Sequence, residues 1–161
     1  MIVLVMGTTG SGKTTVGTLL AEHLGWEYSD GDSFHSAANI EKMKHGIPLT
    51  DEDRAPWLDA IHKQMLTWKA QGRNAVMACS ALKQSYRDRL LIGTDAKLVY
   101  LHGSYDLFLQ RLHLRTGHFA DERLLASQFA TLEEPLDDIT IDATQSPQEM
   151  VDEICKRLGI Q

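Results

Sequence analysis

The 161-residue chain has two cysteines, Cys79 and Cys155, and this excludes a disulfide-dense scaffold or a cysteine-based zinc module. Both read as small buried apolar residues of ordinary elements. No apolar run approaches the roughly 20 residues that cross a bilayer. The apolar start Met1–Met6 is short, lacks a basic leader and meets glycine at once, so it is not expected to be a secretory signal; a cytoplasmic location is the default. Basic charge is also scarce. Sixteen Lys and Arg face 22 Asp and Glu, a formal charge of -6, which disfavours a general binder of nucleic acid or anionic membrane. A small anionic ligand stays open, because local groups outweigh net charge. Repeats, low-complexity tracts and linkers are missing too. What remains is 43% hydrophobic and 24% charged, the composition of one globular domain spanning residues 1–161.

Short β-rich runs alternate with longer amphipathic ones. Ile2–Met6 is a continuous apolar run ended by Gly7, the pattern of a strand buried on both faces. Val16, Leu19, Leu20 and Leu24 give Thr14–Leu24 a helical period, stopped at Gly25. Trp57, Ile61, Met65 and Trp68 do the same for Asp51–Gln71, stopped at Gly72. Further strands are expected at Trp26–Ser29, Asn74–Cys79, Lys97–Leu101 and Ile139–Ile141. Further helices are expected at Tyr105–Arg115 and from Pro147 to about Leu158. Strands separated by helices indicate βαβ units and a mostly parallel sheet covered on both faces. Gly31–Thr50 and Thr116–Pro135 are the least regular stretches, the kind that binds ligands at strand ends.

Gly7-Thr8-Thr9-Gly10-Ser11-Gly12-Lys13-Thr14 matches the phosphate-loop pattern G-x-x-x-x-G-K-[ST] in full, between a strand and a helix. Its glycines allow several N–H groups to converge on an anion at a helix N-terminus, and Thr15 follows in the first turn. Lys13 supplies charge for the β- and γ-phosphates, and the Thr14 hydroxyl suits Mg2+. The pattern points to a nucleoside triphosphate, not to a particular reaction.

Asp30-Gly31-Asp32 ends the second strand. Beside a phosphate loop, one carboxylate suits the metal's water shell, and the other suits removal of a proton from an attacking hydroxyl. Asp32, one step further out, is the expected base; the division of labour with Asp30 stays open. Asp51 and Glu52 read as helix-dipole partners. Arg54 opposes that dipole and is expected to face an anion. Lys83 and Arg87 are four apart and are expected on one helix face; with His35 and Arg54 they make a cationic pocket for a small hydroxylated acid. Taken alone, each of these also suits a solvated surface. Arg111, Arg115 and His118 precede Phe119, and such cations can neutralise a transferring phosphoryl group under a closing lid.

These segments together resemble the bacterial-type gluconokinases, small phosphate-loop kinases related to shikimate and adenylate kinases. The resemblance also rests on Asn39–Met43, Gly46–Arg54, Pro56-Trp57-Leu58, Cys79–Lys83, Tyr86-Arg87-Asp88, Gly117-His118-Phe119, Ser127-Gln128-Phe129 and Thr131-Leu132-Glu133. It covers Ile2 to about Asp142. It implies a phosphate-loop NTPase fold of the nucleoside monophosphate kinase type, an α/β three-layer sandwich with a five-stranded parallel sheet of order 2-3-1-4-5. A lid around residues 111–126 and often a homodimer are implied as well. The implied reaction is ATP-dependent phosphorylation of D-gluconate at C6, giving 6-phospho-D-gluconate and ADP. Another small-molecule kinase, acting on shikimate or a related sugar acid, is the nearest alternative; a non-catalytic nucleotide switch is a more distant one. Two positions depart from the pattern. Thr116 stands where a basic residue is frequent, and Leu91 where an arginine commonly follows.

Overall fold

The computed structural model describes residues 1–115, 119–136 and 138–160. Five strands, β1 (Ile2–Met6), β2 (Glu27–Asp30), β3 (Ala75–Ala78), β4 (Lys97–His102) and β5 (Ile139–Asp142), form one sheet. All pairings are parallel and the order is β2-β3-β1-β4-β5. Around it lie α1 (Lys13–Leu24), α2 (Ala37–Lys44), α3 (Asp51–Ala70), α4 (Gln84–Leu91), α5 (Tyr105–Arg115), α6 (Phe119–Thr131) and α7 (Pro147–Leu158).

The period of two in the strands produces three layers. In β1, Val3 and Val5 face one core with Val16, Leu20, Phe108, Leu112, Leu125 and Ile154. Ile2, Leu4 and Met6 face the other, with Trp57, Ile61, Met65, Trp68 and Leu90. Helices α1, α5, α6 and α7 thus cover one face, and α3 and α4 the other. Both cysteines are free and buried, one in each core. α7 shows how local signals agree: Pro147 starts it, Ser146 and Glu149 form a capping box, and Gly159 ends it in the left-handed region.

Two helices lie inside the stretches read as irregular. α2 lies in the middle of Gly31–Thr50, and α6 occupies most of Thr116–Pro135. α2 carries no apolar stripe; Ile40 and Met43 are exposed, so periodicity cannot reveal it. Polar anchors hold it instead. Ser36 caps it, Asn39 Nδ2 donates to Asp53 O at 2.8 Å, and Lys42 Nζ donates to both Asp53 carboxylate oxygens at 2.9 and 3.0 Å.

Asp53 is also the third residue of α3, and its carboxylate accepts from Thr50 N–H while Thr50 Oγ1 accepts from Asp53 N–H. The backbone bond from Thr50 and then Lys42 lower its pKa to about 2. A depressed carboxylate contributes stability that is complete above its ordinary value and is lost as pH falls through the folded value. Asp53→Asn keeps an acceptor but not the charge. Its melting temperature is therefore expected to depend less on pH than the wild type's between about pH 4 and pH 2. Parallel melting curves across that range check this; identical slopes would contradict it.

β1 lies between β3 and β4, so the connections after β1 and β3 leave toward opposite neighbours at its carboxyl end. That is the topological switch point, where open α/β sheets bind ligands. Asp30 pairs in register with Ala78, and Val5 pairs with the same residue from the other side. The acidic end of β2 thus lies two strands, or about 10 Å, from the end of β1.

Candidate active site

The phosphate loop joins β1 to α1. Gly10 and Gly12 take φ of +79° and +94°, angles that side chains oppose. Gly12 is the cap residue of α1 and makes no side-chain bond there, which leaves the helix N-terminus open. Ser11 N–H bonds Thr8 O at 3.2 Å, and Val16 N–H bonds Gly12 O at 2.8 Å. Among the described residues, the amides of Gly10, Gly12, Lys13 and Thr14 have no hydrogen-bond partner. Four orphan donors beside the Lys13 side chain, at the positive end of a helix, form an anion cradle. Gly7 and Thr8 are buried beneath it, and Thr15 is exposed at its helical end.

The acidic pair is built by a short 3-10 helix, Gly31–Phe34, at the end of β2. Asp30 caps it: its Oδ1 accepts from Asp32 N–H at 2.9 Å. Gly31 is required by close approach. A Cβ there would sit 2.9 Å from Ala78 O and 3.1 Å from Cys79 Cβ. Asp30 is therefore committed to the turn, while the exposed Asp32 carboxylate is directed outward. Burial pushes the Cys79 thiol up to about 12, and it lies within the electrostatic reach of Asp32, Lys13 and Asp30. One buried sulfur thus reports that both carboxylates and the loop lysine converge on the same end of the sheet.

His35 stacks on Trp57, with ring centroids 4.2 Å apart and planes 12° from parallel. Trp57 is itself fixed by its Nε1–H bond to Gly31 O at 2.7 Å. Burial pulls the His35 pKa down, Asp32 opposes this, and Arg54 adds to it. Asn39, buried and known from the sequence only as part of the Asn39–Met43 segment, decides the tautomer. Its Nδ2 donates to Asp53 O and lies 3.4 Å from His35 Nδ1, which makes Nδ1 the acceptor and leaves the proton on Nε2.

Lys83 and Arg87 do not share a cationic face, as their spacing had suggested. Lys83 has extended backbone angles and is the cap residue of α4, so the helical period does not include it. Its Nζ lies 3.2 Å from Asp51 Oδ1 and 5.4 Å from the Tyr86 ring centre. Tyr86 Oη donates to Asp51 Oδ1 at 2.5 Å and accepts from Arg54 Nη1 at 3.2 Å. Lys83, Arg54 and Tyr86 thus form a cage around a carboxylate. Asp51, read from the sequence as a dipole partner, fills it. Arg87 turns inward and is buried. Its Nη1 donates to Ala81 O and Leu82 O at 2.7 and 3.1 Å, and its Nη2 to Glu133 O and Gln84 Oε1 at 2.6 and 3.1 Å. It is a scaffold residue of the loop after β3.

Arg111 lies on α5 and hydrogen-bonds Ala143 O after β5; Arg115 lies one turn on and is exposed. α5 itself lies on the phosphate-loop side, because Gly10 packs against it at Phe108 and Leu112. The segment expected as a lid overlaps the end of α5 and the start of α6. His118 and Thr116 lie outside the described residues. Leu91 is the last residue of α4 and packs partly buried against the α3 core, away from the acidic pair.

The comparisons with known proteins agree with this geometry. The shikimate kinase family model matches residues 9–159. A probable gluconokinase of Xenopus tropicalis is 46% identical over 151 residues, covering 84% of this chain and 80% of the relative. The gluconokinase of Gluconobacter oxydans is 45% identical over 158 residues, covering 95% and 88%. A solved gluconokinase from Sinorhizobium meliloti superimposes with a TM-score of 0.87 at 43% identity, over 98% of this chain and 90% of that one. A shikimate kinase from Aquifex aeolicus, at 16% identity and a TM-score of 0.61, shares the fold.

Proposed function

The chain belongs to the shikimate kinase family and, within it, to the gluconokinases, and from that premise we propose that it transfers the γ-phosphoryl group of ATP to the C6 hydroxyl of D-gluconate. The products are 6-phospho-D-gluconate and ADP. One observation supports the reading: beside an intact phosphate loop the chain has an acidic pair and a basic cage already holding a carboxylate, with Asp32 sharing one neighbour with Lys13 and another with Arg54. A kinase for a sugar acid needs those three parts. Shikimate, the runner-up acceptor, is disfavoured because the solved shikimate kinase is far more distant in sequence than the gluconokinases.

In this mechanism the amides of Gly10–Thr14 and the Lys13 ammonium hold the phosphates, with Gly7, Thr8 and Thr9 shaping the loop. Arg54 and Lys83 take the gluconate carboxylate, displacing Asp51 from the cage. His35 donates from Nε2 to a hydroxyl. Asp32 accepts the C6 proton as the oxygen attacks, and Asp30 keeps it aimed. Arg111 and Arg115 act on the nucleotide side, and His118 contributes to the substrate side. Orientation and charge stabilisation supply most of the rate, because phosphoryl transfer needs little covalent help.

Mg2+ belongs to this reading. The nearby donors are oxygens, from the Thr14 hydroxyl and the Asp32 carboxylate with Asp30 behind it, the hard set that Mg2+ prefers. Among the described residues no cluster of three His, Cys, Asp or Glu could hold an ion by itself, which suits one held largely by nucleotide phosphates and water. When bound, it neutralises charge on the phosphates. Among the described residues no helix is long and apolar enough to cross a membrane. A cytoplasmic homodimer completes the proposal.

An ADP-release assay over a panel of sugar acids tests the substrate. D-gluconate is expected to give the highest kcat/KM, and label from γ-labelled ATP is expected to appear in the sugar. Equal rates across the panel would overturn the substrate. Absence of label transfer would leave only a nucleotide switch.

A further inference from the structure

α6 overlaps the end of the segment expected as a lid, but the core holds this helix firmly. Leu125 is fully buried, and Phe129 packs edge-on against Tyr105 at 5.4 Å and tilted against Phe108 at 6.0 Å. Gln128 lies between these anchors and reaches the phosphate loop. Its Oε1 accepts the Thr9 N–H at 2.6 Å, across 119 residues of sequence. A backbone N–H can meet only an oxygen, so this bond fixes which end of the side-chain amide is nitrogen. Nε2 is thereby held within about 5 Å of the Thr9 nitrogen, given ordinary amide bond lengths. Among the described residues it has no hydrogen-bond partner.

Thr9 also differs from its neighbours. The amides of Gly10, Gly12, Lys13 and Thr14 are left to an anion, whereas that of Thr9 is turned to protein. Inner phosphates lie on the helix N-terminus of such loops. The opposite rim, at Thr8 and Thr9, is left for the terminal phosphoryl group.

We propose that Gln128 is a nucleotide-site residue: its side-chain carbonyl pins the Thr9 amide, and its side-chain NH2 donates to the terminal phosphoryl group. The inference rests on the kinase reading above. A preorganised neutral donor is effective there, because charge spreads over the equatorial oxygens during transfer. The same contact joins α6 to the phosphate loop.

Gln128→Glu and Gln128→Leu separate the two halves of the amide. Glutamate keeps an oxygen for Thr9 but loses the donor and adds negative charge; leucine loses both. Both variants are expected to bind ADP within about twofold of wild type, since the inner phosphates are untouched. Both are expected to bind a non-hydrolysable ATP analogue about tenfold or more weakly, the loss expected of one charge-assisted hydrogen bond. kcat should fall about 100-fold with KM for the acceptor little changed. A Gln128→Glu enzyme with wild-type analogue affinity would overturn the proposal, since the oxygen alone would then suffice. Equal losses for ADP and the analogue would overturn it too. If Gln128→Leu fails to fold, Gln128→Glu carries the test, with its melting temperature as the check on integrity. The binding comparison uses no acceptor, so a failure of the gluconate assignment leaves this result readable.

Discussion

Asp32→Asn is expected to lower kcat by about 10² to 10⁴ while leaving the affinity for a non-hydrolysable ATP analogue within about twofold of wild type. Three features of the site lead to this. The substitution is isosteric, and the Asp32 group that organises the turn is its backbone N–H, bonded to Asp30 Oδ1 at 2.9 Å. Asparagine keeps that N–H, so the 3-10 helix should survive. The carboxylate itself is exposed and directed outward, away from the turn it leaves. An amide in its place cannot accept the proton of an attacking hydroxyl. Asp30→Asn provides the contrast. Asparagine caps a helical turn as well as aspartate does, so that variant should keep the turn and lose only a background charge. A loss of tenfold or less is expected for it. Rapid-quench kinetics on both variants, with analogue binding measured in parallel, decide the matter. A collapse in Asp30→Asn with near-normal Asp32→Asn would exchange the two roles.

The parts of this site that were legible in the sequence are those made by local rules. The phosphate loop is contiguous, and glycine spacing, strand and helix all lie within about twenty residues. The sheet order followed from the family resemblance, and the three layers from strand periodicity. What escaped notice depends on contacts between distant segments. α2 has no apolar stripe, because Asn39 and Lys42 dock it through polar groups onto Asp53. Tyr86 is legible only as part of the Tyr86-Arg87-Asp88 segment, and only the fold places its hydroxyl between Asp51 and Arg54. Asp51 reads as a dipole partner because the sequence cannot show that Lys83 lies across from it. The Lys83–Arg87 spacing misled for a definite reason: the four-residue rule holds inside a helix, and Lys83 is its cap. Gln128 was noticed as part of a motif but had no role until Thr9 was found beside it.

Arg87 is expected to be the most costly single position for stability outside the hydrophobic cores. Ala81, in the loop it holds, has φ of +47°, a left-handed angle that costs a non-glycine residue about 1–2 kcal/mol. Arg87 Nη1 grips the carbonyls of Ala81 and Leu82 and so holds that geometry. Nη2 grips Glu133 O, while Glu133 N–H donates to Leu82 O and Glu133 Oε1 accepts from Gln84 N–H. The loop after β3 and the segment after α6 are thereby sewn together through one guanidinium. Arg87→Met keeps most of the volume but leaves the buried Ala81 carbonyl without a donor and removes the charged donor from Leu82 O and Glu133 O. Hydrogen bonds to a charged group contribute about 1.5–3 kcal/mol each, so a loss of about 3–5 kcal/mol is expected. For a domain of this size that is a fall in melting temperature of about 10 °C. Arg87→Lys should recover less than half, because one ammonium cannot span both sides of the seam. Adding Ala81→Gly to Arg87→Met should restore about 1 kcal/mol, since glycine accepts the left-handed angle without the clamp. A purely structural seam far from the site would change the melting temperature alone. This one carries Lys83 at its end, so KM for the acceptor is expected to rise while ATP-analogue affinity holds. Calorimetry with steady-state kinetics checks both, and an Arg87→Met protein melting within about 2 °C of wild type would refute the clamp.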